Sequence, residues 1–197
     1  MGRTLASPLA AIAAMTLTAA CGSTSDPSAT HVRASSRAPE ARSATAPDPT
    51  AGRACTSADL TAVFMGQNGA TGNVVLSFAL RNRGSSICHI YGWPGVEFLG
   101  AGGQGLRTHS RRVTRDLLGS TPASVIALAP GMWASFRVVA TDQSSGGGST
   151  AGCQVAHALQ IIAPDDAGMM SVGIPGGAYE CMVTTVSALQ PGNAATR

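Results

Sequence analysis

Lysine is absent from this chain of 197 residues: all 13 of its Lys/Arg-type cations are arginines. Together with abundant alanine and glycine, this bias points to a GC-rich coding sequence, a property of the host rather than of the fold. Aromatic residues make up only 4% and charged residues only 12%, so any core has to be built from Ala, Val, Leu and other small or branched side chains. The net formal charge of +3, with no arginine run interleaved with aromatics, excludes a nucleic-acid binder. No apolar run reaches the ~20 residues of a bilayer-spanning helix. C-x-x-C, H-E-x-x-H and G-x-S-x-G are all missing, which removes the sequence signals of a zinc site, a zinc peptidase and a serine hydrolase. The histidines (His31, His89, His109 and His157) are scattered, and Asp165-Asp166 falls in a proline-flanked loop. No catalytic residue, metal or cofactor is predicted.

The N-terminus carries an address. Met1-Gly2-Arg3 supplies one positive charge, and the apolar run over residues 5–17 has the length of a secretory h-region. Thr18-Ala19-Ala20 gives the small residues a signal peptidase requires, and Cys21 follows directly. This arrangement resembles the lipobox of bacterial lipoproteins, with one departure: the third position before the cysteine, usually Leu, Val or Ile, is Thr18. A lipid on Cys21 is therefore expected after removal of residues 1–20, with two or three acyl chains for a stable hold. Residues 21–53 are Ser, Thr, Ala, Pro and Asp with scattered arginines, and cannot bury enough apolar surface to offset their ordering entropy. They predict a disordered tether reaching about 30 Å as a flexible coil.

From residue 54 the texture changes. In "NVVLSFALRN", Val74, Leu76, Phe78 and Leu80 alternate with Val75, Ser77, Ala79 and Arg81, the period of a half-buried strand. "MWASFRVVA" repeats it, placing Ala134, Phe136 and Val138 opposite Ser135, Arg137 and Val139. "LTAVFM", "VEFL", "SVIAL", "VAHALQII" and "CMVTTVSAL" read as further strands. Turn signals stand at Asn68-Gly69, Arg83-Gly84-Ser85, Pro94-Gly95, Pro130-Gly131 and in the glycine-rich residues 144–149. The prediction is all-β: an immunoglobulin-like antiparallel β-sandwich over residues 54–190, with a flexible tail at 191–197.

Cys55, Cys88, Cys153 and Cys181 form an even set beyond the export signal, consistent with two disulfides. Three pairings are possible. Cys55–Cys88 is favoured because an antiparallel first pair of strands sets the start of one beside the end of the other. Cys153–Cys181 is favoured because each begins a late strand; with a short strand over residues 169–174 between them, the two run parallel. Each bridge closes a loop of about 30 residues, a contribution of roughly 3–4 kcal/mol in the chain-entropy model. "GAGGQG" at 100–105 matches G-x-G-x-x-G, but no helical pattern follows, so it reads as a hairpin loop and no dinucleotide is expected. Arg107, His109, Arg111, Arg112 and Arg115 concentrate positive charge in a loop or edge strand: a solvated edge, or a contact for lipid headgroups, wall polymers or an acidic partner. Trp93 is either packed beneath its turn or an exposed contact anchor.

The stretch "NRGSSICHIYGWPGVEFLG" (82–100), "LAPG" (128–131) and the two late cysteines resemble an uncharacterised actinobacterial family, domain of unknown function 4232. The residues that carry the likeness are Asn82, Gly84, Ser85, Cys88, Ile90, Gly92, Trp93, Pro94, Gly95 and Val96. The resemblance implies an envelope location and a fold, and brings no catalytic residues. The expected protein is a non-catalytic binding or accessory domain, lipid-anchored on the extracytoplasmic face of the cell membrane, contacting an envelope protein or wall polymer. The alternatives are a cryptic envelope hydrolase and a secreted soluble binding domain without the anchor.

Overall fold

The structure is a computed structural model that describes residues 52–143 and 152–194. The expected signal segment, Cys21, His31, nearly all of the tether and the turn at 144–149 lie outside these residues. Among the described residues there is no helix. The strands are β1 (Leu60–Ala70), β2 (Asn73–Asn82), β3 (Cys88–Tyr91), β4 (Gly95–Leu99), β5 (His109–Val113), β6 (Arg115–Asp116), β7 (Gly119–Ser120), β8 (Val125–Leu128), β9 (Trp133–Thr141), β10 (Gln154–Ile162), β11 (Met169–Glu180), β12 (Val183–Ser187) and β13 (Gln190–Pro191). The larger sheet has the order β1-β2-β9-β12-β5, with β13 also on β9, and the smaller has the order β11-β10-β4. The pairs β3-β8 and β6-β7 complete the structure.

The alternation of β2 and β9 sets the core. Val74, Leu76, Phe78 and Leu80 of β2, with Ala134, Phe136, Val138 and Ala140 of β9, join Phe98, Leu159, Ile161 and Ile174 of the smaller sheet in one buried cluster. Phe78 lies opposite Phe136 in the register, rings stacked 5.6 Å apart, and Phe64 meets Phe78 at 5.5 Å. Two sheets closing on a shared apolar layer make the all-β, sandwich-like architecture expected from the sequence. The scarcity of aromatics is met by placing all four phenylalanines in or against this cluster, since each buried Phe contributes roughly 1.5–3 kcal/mol.

Several local expectations are corrected. Asn68-Gly69 does not turn: β1 runs to Ala70, pairing Asn68 with Val75 and Gly69 with Val74. The turn is Thr71-Gly72, where Gly72 takes the left-handed φ of +75° that a two-residue hairpin requires. β2 and β9 are central strands buried on both faces rather than half-buried, since even Ser77, Ser135 and Arg137 are covered. β5 pairs β12 in parallel, against the antiparallel expectation. These strands are far apart in sequence, so no hairpin dictates their direction. Ordered pairing also starts before residue 54: the His89 N–H donates to the Arg53 carbonyl at 2.9 Å.

Both favoured disulfides are present, Cys55–Cys88 and Cys153–Cys181. The reason for the second differs from the expected one. β11 does not stop at residue 174 but runs antiparallel to β10 as far as Glu180, which faces Gln154. Cys181 therefore follows the end of β11, beside the start of β10, and does not begin a strand parallel to it. The first bridge closes the β1-β2 hairpin onto β3 as argued.

Candidate functional site: an arginine edge and an aromatic cleft

The glycine-rich stretch at 100–105 is a hairpin loop. The Gly100 N–H donates to the Gln104 carbonyl and the Leu106 N–H to the Phe98 carbonyl, at 2.9 and 2.8 Å. The chain then enters β5, the edge of the larger sheet. Arg107, His109, Arg111, Arg112 and Arg115 are all exposed, as the sequence predicted. Among the described residues none of the four arginines makes a side-chain hydrogen bond or an ion pair. Unpaired guanidiniums keep all their donors for an external acceptor.

Trp93 joins this edge from the β3-β4 turn. Gly92 adopts φ +93°, and the indole Nε1–H of the half-buried Trp93 donates to the Val113 carbonyl at 2.9 Å. The packed reading of Trp93 thus describes its role in holding β5, although one side of the ring still faces a cleft. That cleft, about 220 Å³, is lined by Tyr91, Gly92, Trp93, Arg112, Pro164 and Asp165. Tyr91, Pro164 and Asp165 also border a second, more apolar cavity of about 350 Å³ with Gly52, Ala54, His89, Ile90 and Val125. Tyr91 and Val125 face each other across β3-β8 and are 51% and 64% exposed, too much for residues serving a core. Asp165 holds a left-handed φ of +59°, which aspartate tolerates better than most residues. His89 and Asp165 share the second cavity without a hydrogen bond between them; the His89 Nδ1 is buried and has no partner. Sequence reasoning missed Tyr91, Val125 and Asp165, because the cleft is assembled from three loops and strands distant in sequence.

It also missed a buried ion pair. The alternation placed Arg137 on the solvent face of β9, yet its side chain is only 8% exposed. Its Nε–H and Nη2–H donate to both carboxylate oxygens of Asp116 at 2.9 Å, and the Asp116 side chain is 2% exposed. Asp116 begins the β6-β7 turn and also accepts the Leu118 N–H at 2.8 Å. Two further carboxylates fasten the N-terminal segment. Arg53 donates to Asp59 in a fork at 2.6 and 2.7 Å, with the Thr56 N–H and hydroxyl, and holds that carboxyl well below its ordinary range. The Ser57 N–H donates to Asp166 at 2.6 Å and is the main cause of its lowered pKa.

The motif over residues 82–100 is structural. Asn82 is fully buried; its amide donates to the carbonyls of Ser86 and Leu128 at 2.9 and 2.8 Å and its oxygen accepts the Gly84 N–H at 2.8 Å. Cys88 is in a disulfide, Ile90 is 3% exposed, and Gly95 lies against Ile162, 3.4 Å from where a Cβ would sit.

Fold and surface together define a class: an all-β, disulfide-bonded domain with an unpaired arginine edge beside an open aromatic cleft. A family model described as Domain of unknown function (DUF4232) matches residues 55–195, most of the chain, and the chain belongs to this family. No curated protein matches the chain. Among solved structures, the crystal structure of selenomethionine-labelled beta-glucosidase from Kluyveromyces marxianus aligns with 61% of this chain and 14% of its own, at 12% identity and a TM-score of 0.26. The chain spans a small part of that protein, and a likeness so weak supports no statement about fold or activity.

Proposed function

We propose that this protein is a non-catalytic binding or accessory domain, held by a lipid on Cys21 at the extracytoplasmic face of the cell membrane, that contacts a protein or wall component. The observation that supports it most is the cleft of Tyr91, Trp93 and Arg112, where aromatic surface and an unpaired guanidinium lie open together. Tyrosine, tryptophan and arginine are the residues that anchor contacts, combining large apolar area with directed donors. The anchor is supported by the apolar run, the small residues before Cys21 and the tether that follows.

A photo-crosslinker at position 91 in intact cells tests the contact, with Arg107, Arg111, Arg112 and Arg115 changed together to Ala alongside. A discrete adduct that disappears with the arginine variant supports the reading. Equal background from both chains would sink it. Detergent phase partitioning tests the anchor: wild type enters the detergent phase and Cys21→Ser the aqueous phase. If both remain in water, the protein is a secreted soluble domain.

A further inference from the structure

The β6-β7 hairpin carries an anomaly. Its strands pair Arg115 with Ser120 and Asp116 with Gly119, leaving Leu117-Leu118 as the whole turn. Asp116, accepting the Leu118 N–H, and Gly119 at φ +131° supply the turn chemistry, and the two central positions accept most residues. The leucines there are 50% and 47% exposed, so burial does not account for them. The apolar surface continues past the tip, since Leu117 lines a cavity of about 270 Å³ with Val139 and with Val183, itself 48% exposed.

Arg115 lines the same cavity as Leu117, and the charge of the neighbouring β5 edge is of one sign. Arg107, Arg111, Arg112 and Arg115 are exposed and unpaired, and Asp116, the only acid in residues 107–120, is already neutralised by Arg137.

We propose that the hairpin tip and the arginine edge seat the domain on an anionic phospholipid bilayer, Leu117 and Leu118 entering the interface while Arg111, level with Thr185, and Arg115, beside Leu117, meet lipid phosphates. The proposal deepens the membrane-anchored reading and rests on it for location. A phosphate-bearing wall polymer would account for the arginines but would leave the leucines without a partner. Half-exposed leucines among arginines match the apolar and cationic halves of a lipid interface.

The test uses the chain from residue 21 with Cys21→Ser, so no acyl chain contributes, and vesicles of phosphatidylglycerol or of phosphatidylcholine. The expected result is binding to phosphatidylglycerol vesicles and little to phosphatidylcholine. Changing Arg111 and Arg115 together to Ala weakens it roughly 25-fold, at about fivefold per arginine near an anionic surface. Leu117→Ser with Leu118→Ser weakens it at least about 10-fold. A Leu118→Cys chain labelled with an environment-sensitive fluorophore shifts to the blue on these vesicles and not with inorganic polyphosphate. That label reads insertion even where the double serine variant fails to fold. No binding to phosphatidylglycerol overturns the proposal. So does an unshifted label with binding that polyphosphate competes away, which makes the edge a polyanion site. Failure of the anchor appears separately, as wild-type protein in the aqueous detergent phase.

Discussion

Asn82 shows how one residue can hold several segments at once. Its amide ties β2 to the 84–86 turn and to Leu128 at the end of β8, with every bond inside the protein. Asn82→Ala removes three hydrogen bonds and leaves buried carbonyls without donors, an expected loss of about 3 kcal/mol in denaturant unfolding. A loss below about 1 kcal/mol would mean that water replaces the amide. Asp59 and Asp166 make a prediction about pH. Both carboxyls titrate below their ordinary range, Asp59 because of Arg53 and Asp166 because of the Ser57 N–H. A depressed carboxyl adds stability that is fully present above the unfolded-state pKa of about 4 and is lost as pH falls below it. The melting temperature should therefore change little between about pH 7 and 5 and fall below about 4, less steeply in Asp59→Asn than in wild type. Equal slopes would assign acid sensitivity to other groups. None of these partners could be read from sequence: Asn82 stood in the recognised motif, but its acceptors lie on another strand.

The elements follow their patterns where neighbours agree with them. β2 and β9 were legible because their even-numbered residues are apolar and meet the opposite sheet. Their other faces were not legible, because alternation distinguishes two faces without saying whether the second meets water. The hairpin from Arg115 to Ser120 decides that for β9, and Asp116 supplies the partner that makes burial of Arg137 tolerable. Asp116→Ala leaves that guanidinium buried without its counterion, and the expected loss is about 3–5 kcal/mol. Arg115→Ala, one residue away on an exposed side chain, should change stability by no more than about 0.5 kcal/mol. Equal effects of the two substitutions in thermal melts would show that the hairpin is not held by the ion pair.

At the scale of the whole molecule, two covalent links hold a domain poor in aromatic mass. The bridges span 33 and 28 residues in sequence. Because the chain-entropy contribution depends only logarithmically on loop length, replacing either pair by alanine should cost a similar 2–5 kcal/mol or so. A difference above about 2 kcal/mol between the two variants would place much of the effect in the folded state instead. The first bridge fixes the start of β1 to β3, the second the start of β10 to the end of β11. Cys181 stands beside Met182, whose carbonyl accepts the His109 N–H, so loss of the second bridge should also loosen the start of the arginine edge.

The sequence by itself determined the all-β class, the paired cysteines, the core faces of β2 and β9, and the exposed arginines, all consequences of local period, parity and charge. Only the tertiary structure decided the parallel β5-β12 edge, the burial of Arg137 with Asp116, the hydrogen bond that makes Trp93 a brace for β5, and the cleft joining Tyr91 to Arg112 and Asp165. The physical reason is separation along the chain. Periodicity records which side of a strand is apolar, whereas a cleft or an ion pair exists only once distant segments have been brought within hydrogen-bond reach.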